Sequence, residues 1–181
     1  MHRRNTKQDP PNYPGVVGLG KAIEILEEVG FDAIEEHEQK LIRKLMDGLL
    51  PYDTAIIYGD SEKITDRVGV VSFNFSDVNS YLLAEYLSKI GGVATRRGAF
   101  CAHPYVWRLV GVDPDSAIEA YASCEDVHTP GMIRISFGIY NTEEEVDAFL
   151  KILPEAMKAA QTETERFNSQ ENTVRYIEPS Y

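Results

Sequence analysis

Apolar residues recur at helical spacing from Gly15, where Val16, Leu19, Ile23 and Leu26 form a stripe that stops at Gly30. A second stripe, Ile34, Leu41, Leu45 and Leu49, predicts a helix from about Asp32 that ends before Pro51, with a charged, solvated opposite face. The period then falls to two. Thr54–Tyr58 predicts a strand stopped by Gly59-Asp60, and Val68–Phe75 predicts another that places Val71, Phe73 and Phe75 on one side. Leu83, Leu87 and Ile90 mark a short helix closed by Gly91-Gly92, and Val93–Arg96 reads as a strand leading into a loop. A further helix is expected over 113–123. Alternation returns at 132–137, with Ile133, Ile135 and Phe137 on one face and Met132, Arg134 and Ser136 on the other. Thr142 and Glu145 form a capping box ahead of Val146, Phe149, Leu150 and Leu153. The acidic run Glu143–Glu145 suits the positive end of that helix.

This order predicts an α+β fold: a small, mostly antiparallel sheet with helices on one face. At 181 residues and 43% hydrophobic, the chain can bury one ordinary core. A single domain over 15–160 is expected, preceded by a proline-rich extended arm at 1–14 and followed by a polar tail at 161–181. The net charge of −11 excludes a general nucleic-acid binder, whose partner's phosphates demand a basic face, and an anionic membrane surface. No apolar run approaches the roughly 18 residues that span a bilayer, and no apolar segment follows the basic start, so neither a membrane span nor a secretory signal is expected. Two cysteines, 23 positions apart, make no disulfide framework, which points to a reducing cytoplasm.

The candidate chemistry lies in the run Thr95-Arg96-Arg97-Gly98-Ala99-Phe100-Cys101-Ala102-His103-Pro104. Positive charge beside a thiol favours its nucleophilic thiolate form, and catalytic groups are commonly carried by loops on a rigid sheet. The alternative is a buried loop cysteine without chemistry. Arg134 is the second candidate, because a guanidinium on a rigid strand takes a carboxylate through two parallel hydrogen bonds. A surface ion pair is its plainer explanation. His103 either serves the thiol as acid or base or orders the backbone before Pro104. Cys101, His103, Cys124 and His128 could in principle close a zinc site, but the first spacing is too tight, and no metal is expected. Gly15, Gly18 and Gly20 do not have dinucleotide-loop spacing and follow no strand. Tyr105 and Trp107 read as packing residues, with Arg108 toward solvent.

Together with the opening Pro11-Asn12-Tyr13-Pro14-Gly15-Val16-Val17-Gly18-Leu19-Gly20, the cysteine loop and the segment Arg134-Ile135-Ser136-Phe137-Gly138 resemble class V aminotransferase-type enzymes. They are most similar to the C-terminal part of the cysteine desulfurase and selenocysteine lyase group, which uses pyridoxal phosphate (PLP). The resemblance runs from about Pro11 to about Leu153. It implies the small C-terminal domain of an enzyme that removes sulfur or selenium from an amino acid. It also implies that Cys101 carries the sulfur as a persulfide, that Arg134 and Arg96 bind the substrate, and that the complete enzyme is a homodimer. That enzyme binds PLP on a lysine that follows a histidine, in a large N-terminal domain. No His-Lys pair occurs here, and Pro10 stands where the group has a phosphate-binding threonine. The stretch from Asp113 to Pro130 is additional to the commonest desulfurases.

The chain alone is therefore expected to bind no PLP and to be inactive, as a truncated domain or one piece of a split enzyme; its cofactor-binding residues stay unassigned. Two other readings remain. One is a stand-alone binding or sulfur-relay module that pairs with a separate PLP-bearing large domain or chain. The other is an aminotransferase or different lyase in which Cys101 takes no part.

Overall fold

The computed structural model of the protein describes residues 12–59, 67–122 and 130–168. Where one domain over 15–160 is expected, these residues divide between Glu36 and His37 into two units. The first contains helix α1, Tyr13–Val29, whose Asn12 cap accepts the Gly15 amide at 3.1 Å and whose end is set by Gly30. Tyr13 and Pro14, placed in the arm by the sequence, already belong to α1; residues 1–11 lie outside the described residues. The apolar stripe does form a helix. None of its residues is buried, however, and Val16 and Leu19 are 66% and 62% exposed. Helix α2, Phe31–Leu49, spans the division, and all its buried residues, Leu41, Ile42, Leu45, Met46 and Leu49, belong to the second unit.

The second unit is built on four strands, β1 (Ala55–Ile57), β2 (Val70–Phe75), β3 (Arg96–Gly98) and β4 (Met132–Ser136). They pair antiparallel in the order β1-β2-β4-β3. Alternation along β2 buries Val71, Phe73 and Phe75, which join Ile133 of β4 in one apolar core. Three helices contribute the rest of that core: α2, α3 (Ser80–Gly91) and α6 (Glu143–Asn168). Removing such side chains from water stabilises the fold by about 1.5–3 kcal/mol each. The expected α+β architecture is thus realised, with α2, α3 and α6 covering one sheet face. Two further helices follow the cysteine loop, α4 (His103–Leu109) and α5 (Pro114–Ala122), the latter where the additional sequence predicts one. Val106 and Leu109 of α4 pack with Met132, on the sheet face opposite the main core.

Three expectations are corrected. The strand expected at Val93–Arg96 is Arg96–Gly98. Gly92 ends α3 in the left-handed region and the Val93 amide still donates to Leu87 O at 3.2 Å, so the chain leaves the helix too late to pair earlier. Residues 161–168, expected in the polar tail, continue α6 to Asn168. Ala160 and Thr164 extend its inner stripe, and Thr164 Oγ1 accepts the Asn79 amide at 3.1 Å at the start of α3. Residues 169–181 lie outside the described residues. Tyr105 is not a core residue; it is 65% exposed, whereas Trp107 is buried with Val112 and Ala117 as expected.

Candidate functional site

The site follows from how β3 meets β4. Arg96 pairs with Arg134, Arg97 with Ile133 and Gly98 with Met132. Ile133 faces the main core, so the alternate positions Met132 and Arg134 face the other side, together with Arg96 and with Ser72 of β2, which also pairs with Arg134. The structure thereby places two guanidinium-bearing residues directly across from each other. Among the described residues neither is paired with an acidic side chain, and the buried Nε of Arg134 has no hydrogen-bond partner. Like charges facing across a ladder repel, and a chain with 29 acidic residues had ample means to neutralise them. Planar guanidinium forks of this kind suit a carboxylate.

Arg97 behaves differently. Alternation turns it to the core side, where it lies over the Tyr81 ring at 4.7 Å and donates to Tyr81 O at 3.3 Å.

The junction of β3 and β4 is unusually close. A Cβ on Gly131 would stand 2.6 Å from the Gly98 Cα, and Gly98 itself has φ 100. The Gly131 carbonyl accepts from Asn74 Nδ2 at 2.9 Å and Ser80 Oγ at 3.3 Å, which anchors the start of β4 to β2 and α3. From this junction the chain enters the cysteine loop. Phe100 and Cys101 both adopt left-handed backbone, φ 53 and 62, an uncommon conformation for residues with side chains. The Ala102 amide closes the turn on Ala99 O at 2.8 Å. Cys101 is exposed, while the ring of Phe100 lies under the Arg134 guanidinium at 5.1 Å. The contact of Arg134 is thus with the residue that immediately precedes Cys101 in the loop.

Beside the loop is a cavity of about 780 Å³ between α4 and the sheet, lined by Phe100 and Ala102 on either side of Cys101 and by Ile56, Tyr58, Leu109 and Met132. His103 opens α4 with its ring edge-on to Trp107 at 5.5 Å. Cys124 and His128 lie outside the described residues, and among the described residues no group of three or more His, Cys, Asp and Glu could hold a metal ion. No helix among them is long and apolar enough to cross a membrane.

Residues 6–149 match the family model of aminotransferase class-V. The chain belongs to the aminotransferase class-V family. A probable cysteine desulfurase of Halalkalibacterium halodurans is 35% identical over 141 residues, covering 78% of this chain and 29% of that protein. A cysteine desulfurase of Klebsiella pneumoniae is 33% identical over 137 residues, covering 76% and 28%. Among solved structures, the apo cysteine desulfurase of Thermococcus onnurineus superposes with a TM-score of 0.64 at 29% identity, covering 83% of this chain and 32% of that one. The cysteine desulfurase CsdA of Escherichia coli shares the fold at 23% identity, with a TM-score of 0.63 and coverages of 84% and 32%. The chain thus spans less than a third of the length of these class V relatives.

For PLP, the described residues of the second unit lack the amine. Lys40 and Lys44 lie on α2, Lys89 on α3, and Lys151 and Lys158 on α6, all helices of the face opposite Arg96 and Arg134. Lys44 is engaged with Asp147 at 2.8 Å and Glu143 at 3.4 Å, and Lys89 with Glu85. These residues do not fit the cofactor by themselves. Lys21 belongs to the first unit, and Lys7 and Lys63 lie outside the described residues.

Of the residues expected from the sequence, Arg96 and Arg134 are cross-strand partners, and Cys101 is exposed on the loop that follows β3. Sequence reasoning passed over Phe100, Gly131 and Asn74. Alternation along β2 could have flagged Asn74 as facing the same way as Arg134, but nothing local marks Phe100.

Proposed function

We propose that this chain carries the acceptor half of a cysteine desulfurase-like site. Arg134, assisted by Arg96, grips the α-carboxylate of an amino acid substrate, and the Cys101 thiolate attacks the substrate's sulfur or selenium. The S–S or S–Se bond forms as the substrate's bond from that atom to Cβ breaks; the electron pair leaves with Cβ, which takes up a proton, and Cys101 carries the persulfide or its selenium counterpart. The PLP half comes from a separate large domain or chain, so the isolated chain does not turn over. The observation that supports this reading is the unneutralised Arg96–Arg134 pair beside the loop that presents Cys101. Two adjacent guanidiniums favour a carboxylate over a neutral group, and a charge-assisted hydrogen bond is worth about 1.5–3 kcal/mol.

The test needs only the isolated chain. Iodoacetate bears a carboxylate, and iodoacetamide is its neutral analogue; with both, the thiolate displaces iodide. The ratio of the two alkylation rates at Cys101, followed by peptide mass spectrometry, should exceed that of an unstructured thiol peptide by at least about tenfold. Arg134→Gln should remove the excess. Equal ratios in the wild type and Arg134→Gln would refute the reading.

A further inference from the structure

Resting on that reading, we infer that Phe100 is a positioning residue. Its ring holds the Arg134 guanidinium in place for the carboxylate and ties it to the loop that carries the thiol. The face of an aromatic ring attracts a cation without occupying any N–H donor. An acidic partner would also fix Arg134, but it would consume the donors and cancel the charge. The Phe100 ring lies 5.1 Å from the guanidinium carbon, no acidic side chain pairs with Arg134 among the described residues, and its buried Nε is unpartnered. Arg134 is thus held by a contact that leaves its hydrogen-bonding capacity to a ligand.

The backbone explains how a loop residue reaches that position. Phe100 takes φ 53 and Cys101 φ 62 in succession. Backbone of this kind is strained for residues with side chains and persists only where the surroundings hold it. The turn bond from Ala102 to Ala99 and the ring contact with Arg134 impose it here. Phe100 also lines the apolar cavity beneath α4, so its ring is the wall between that cavity and the arginine pair. One side chain therefore sets the guanidinium, the loop conformation and the boundary of the polar site.

The experiment is the iodoacetate to iodoacetamide rate ratio at Cys101 in the full chain, with circular dichroism to follow folding. Phe100→Leu keeps an apolar side chain and removes the ring quadrupole; it should lower the ratio about three- to tenfold. Phe100→Tyr should preserve it. Replacing the Phe100 ring with its pentafluoro analogue keeps the shape but withdraws the negative face, and should lower the ratio even if Phe100→Leu fails to fold. A merely structural role would change both rates together and leave the ratio intact, which would overturn the inference. If the wild-type ratio exceeds that of Arg134→Gln while the leucine and pentafluoro variants match the wild type, the inference alone falls. If the wild type equals Arg134→Gln, the underlying reading falls and takes the inference with it.

Discussion

Arg96 and Arg134 are Cα partners across β3 and β4, on the side of the sheet that faces away from α2, α3 and α6. Two positive charges are held opposite one another, and among the described residues neither is paired with an acidic side chain. The register that aligns them depends on the β3–β4 junction, from which the chain enters the cysteine loop.

Gly131→Ala should disturb this junction. Its new Cβ would meet the backbone of Gly98 at 2.6 Å, where no flexible side chain can yield. The expected outcome is a displaced β3 end and a fall in the iodoacetate preference at Cys101, larger than any change in the thermal midpoint. An unchanged reagent preference would show that the loop is set by something other than this contact.

Cys101→Ser separates the family's possible chemistries. When the chain is combined with a PLP-bearing large domain, sulfide or selenide release from the amino acid should collapse in the serine variant. Transamination measured in the same mixture should persist. Equal loss of both would place Cys101 in a structural role.

The start of α6 predicts an acid-sensitive element. Glu145 Oε2 accepts the Thr142 amide at 3.0 Å and Asn141 Nδ2 at 2.8 Å, and the Glu145 amide reaches back to Thr142 Oγ1 at 3.4 Å. The bond from Asn141, followed by that from the Thr142 amide, holds the Glu145 carboxyl below its ordinary value. A folded value below the unfolded one means that the stabilisation is complete above the ordinary glutamate range and is lost as pH falls through the lowered value. Glu145→Gln should flatten the acid limb of a stability-against-pH curve. Thr142→Ala should cost about 0.5–2 kcal/mol at neutral pH, measured by urea unfolding.

Leu153→Ala tests the core on α6. Leu153 is fully buried against α2, α3 and the sheet. Its truncation should cost about 2–5 kcal/mol. Under conditions where the variant remains folded, the reagent ratio at Cys101 should match the wild type. A changed ratio would reveal coupling between the core and the loop.

Much of this molecule was legible in its sequence because its helices and longer strands carry periodic patterns. The two-residue period of β4 was enough to turn Arg134 away from Ile133, and the Thr142–Glu145 spacing announced α6. Arg96 opposite Arg134 was not legible as geometry, since register between β3 and β4 is a long-range property and Arg-Arg-Gly has no hydrophobic alternation of its own. The extension of α6 was hidden because its inner surface there is made of Ala160 and Thr164, which carry little apolar signal. Phe100 escaped because an aromatic residue in a turn belongs to no period; only the fold shows what its ring touches.

The two sides of the sheet also make the chain a convenient scaffold. Substitutions that repack Leu41, Leu45, Phe73 and Leu153 can be selected for thermal tolerance in one library, while Arg96, Phe100 and Arg134 are varied for reagent preference in another. Because the two sets occupy opposite sides of one β-layer, their effects should combine nearly additively, and a robust variant with altered selectivity can be assembled from separately optimised parts.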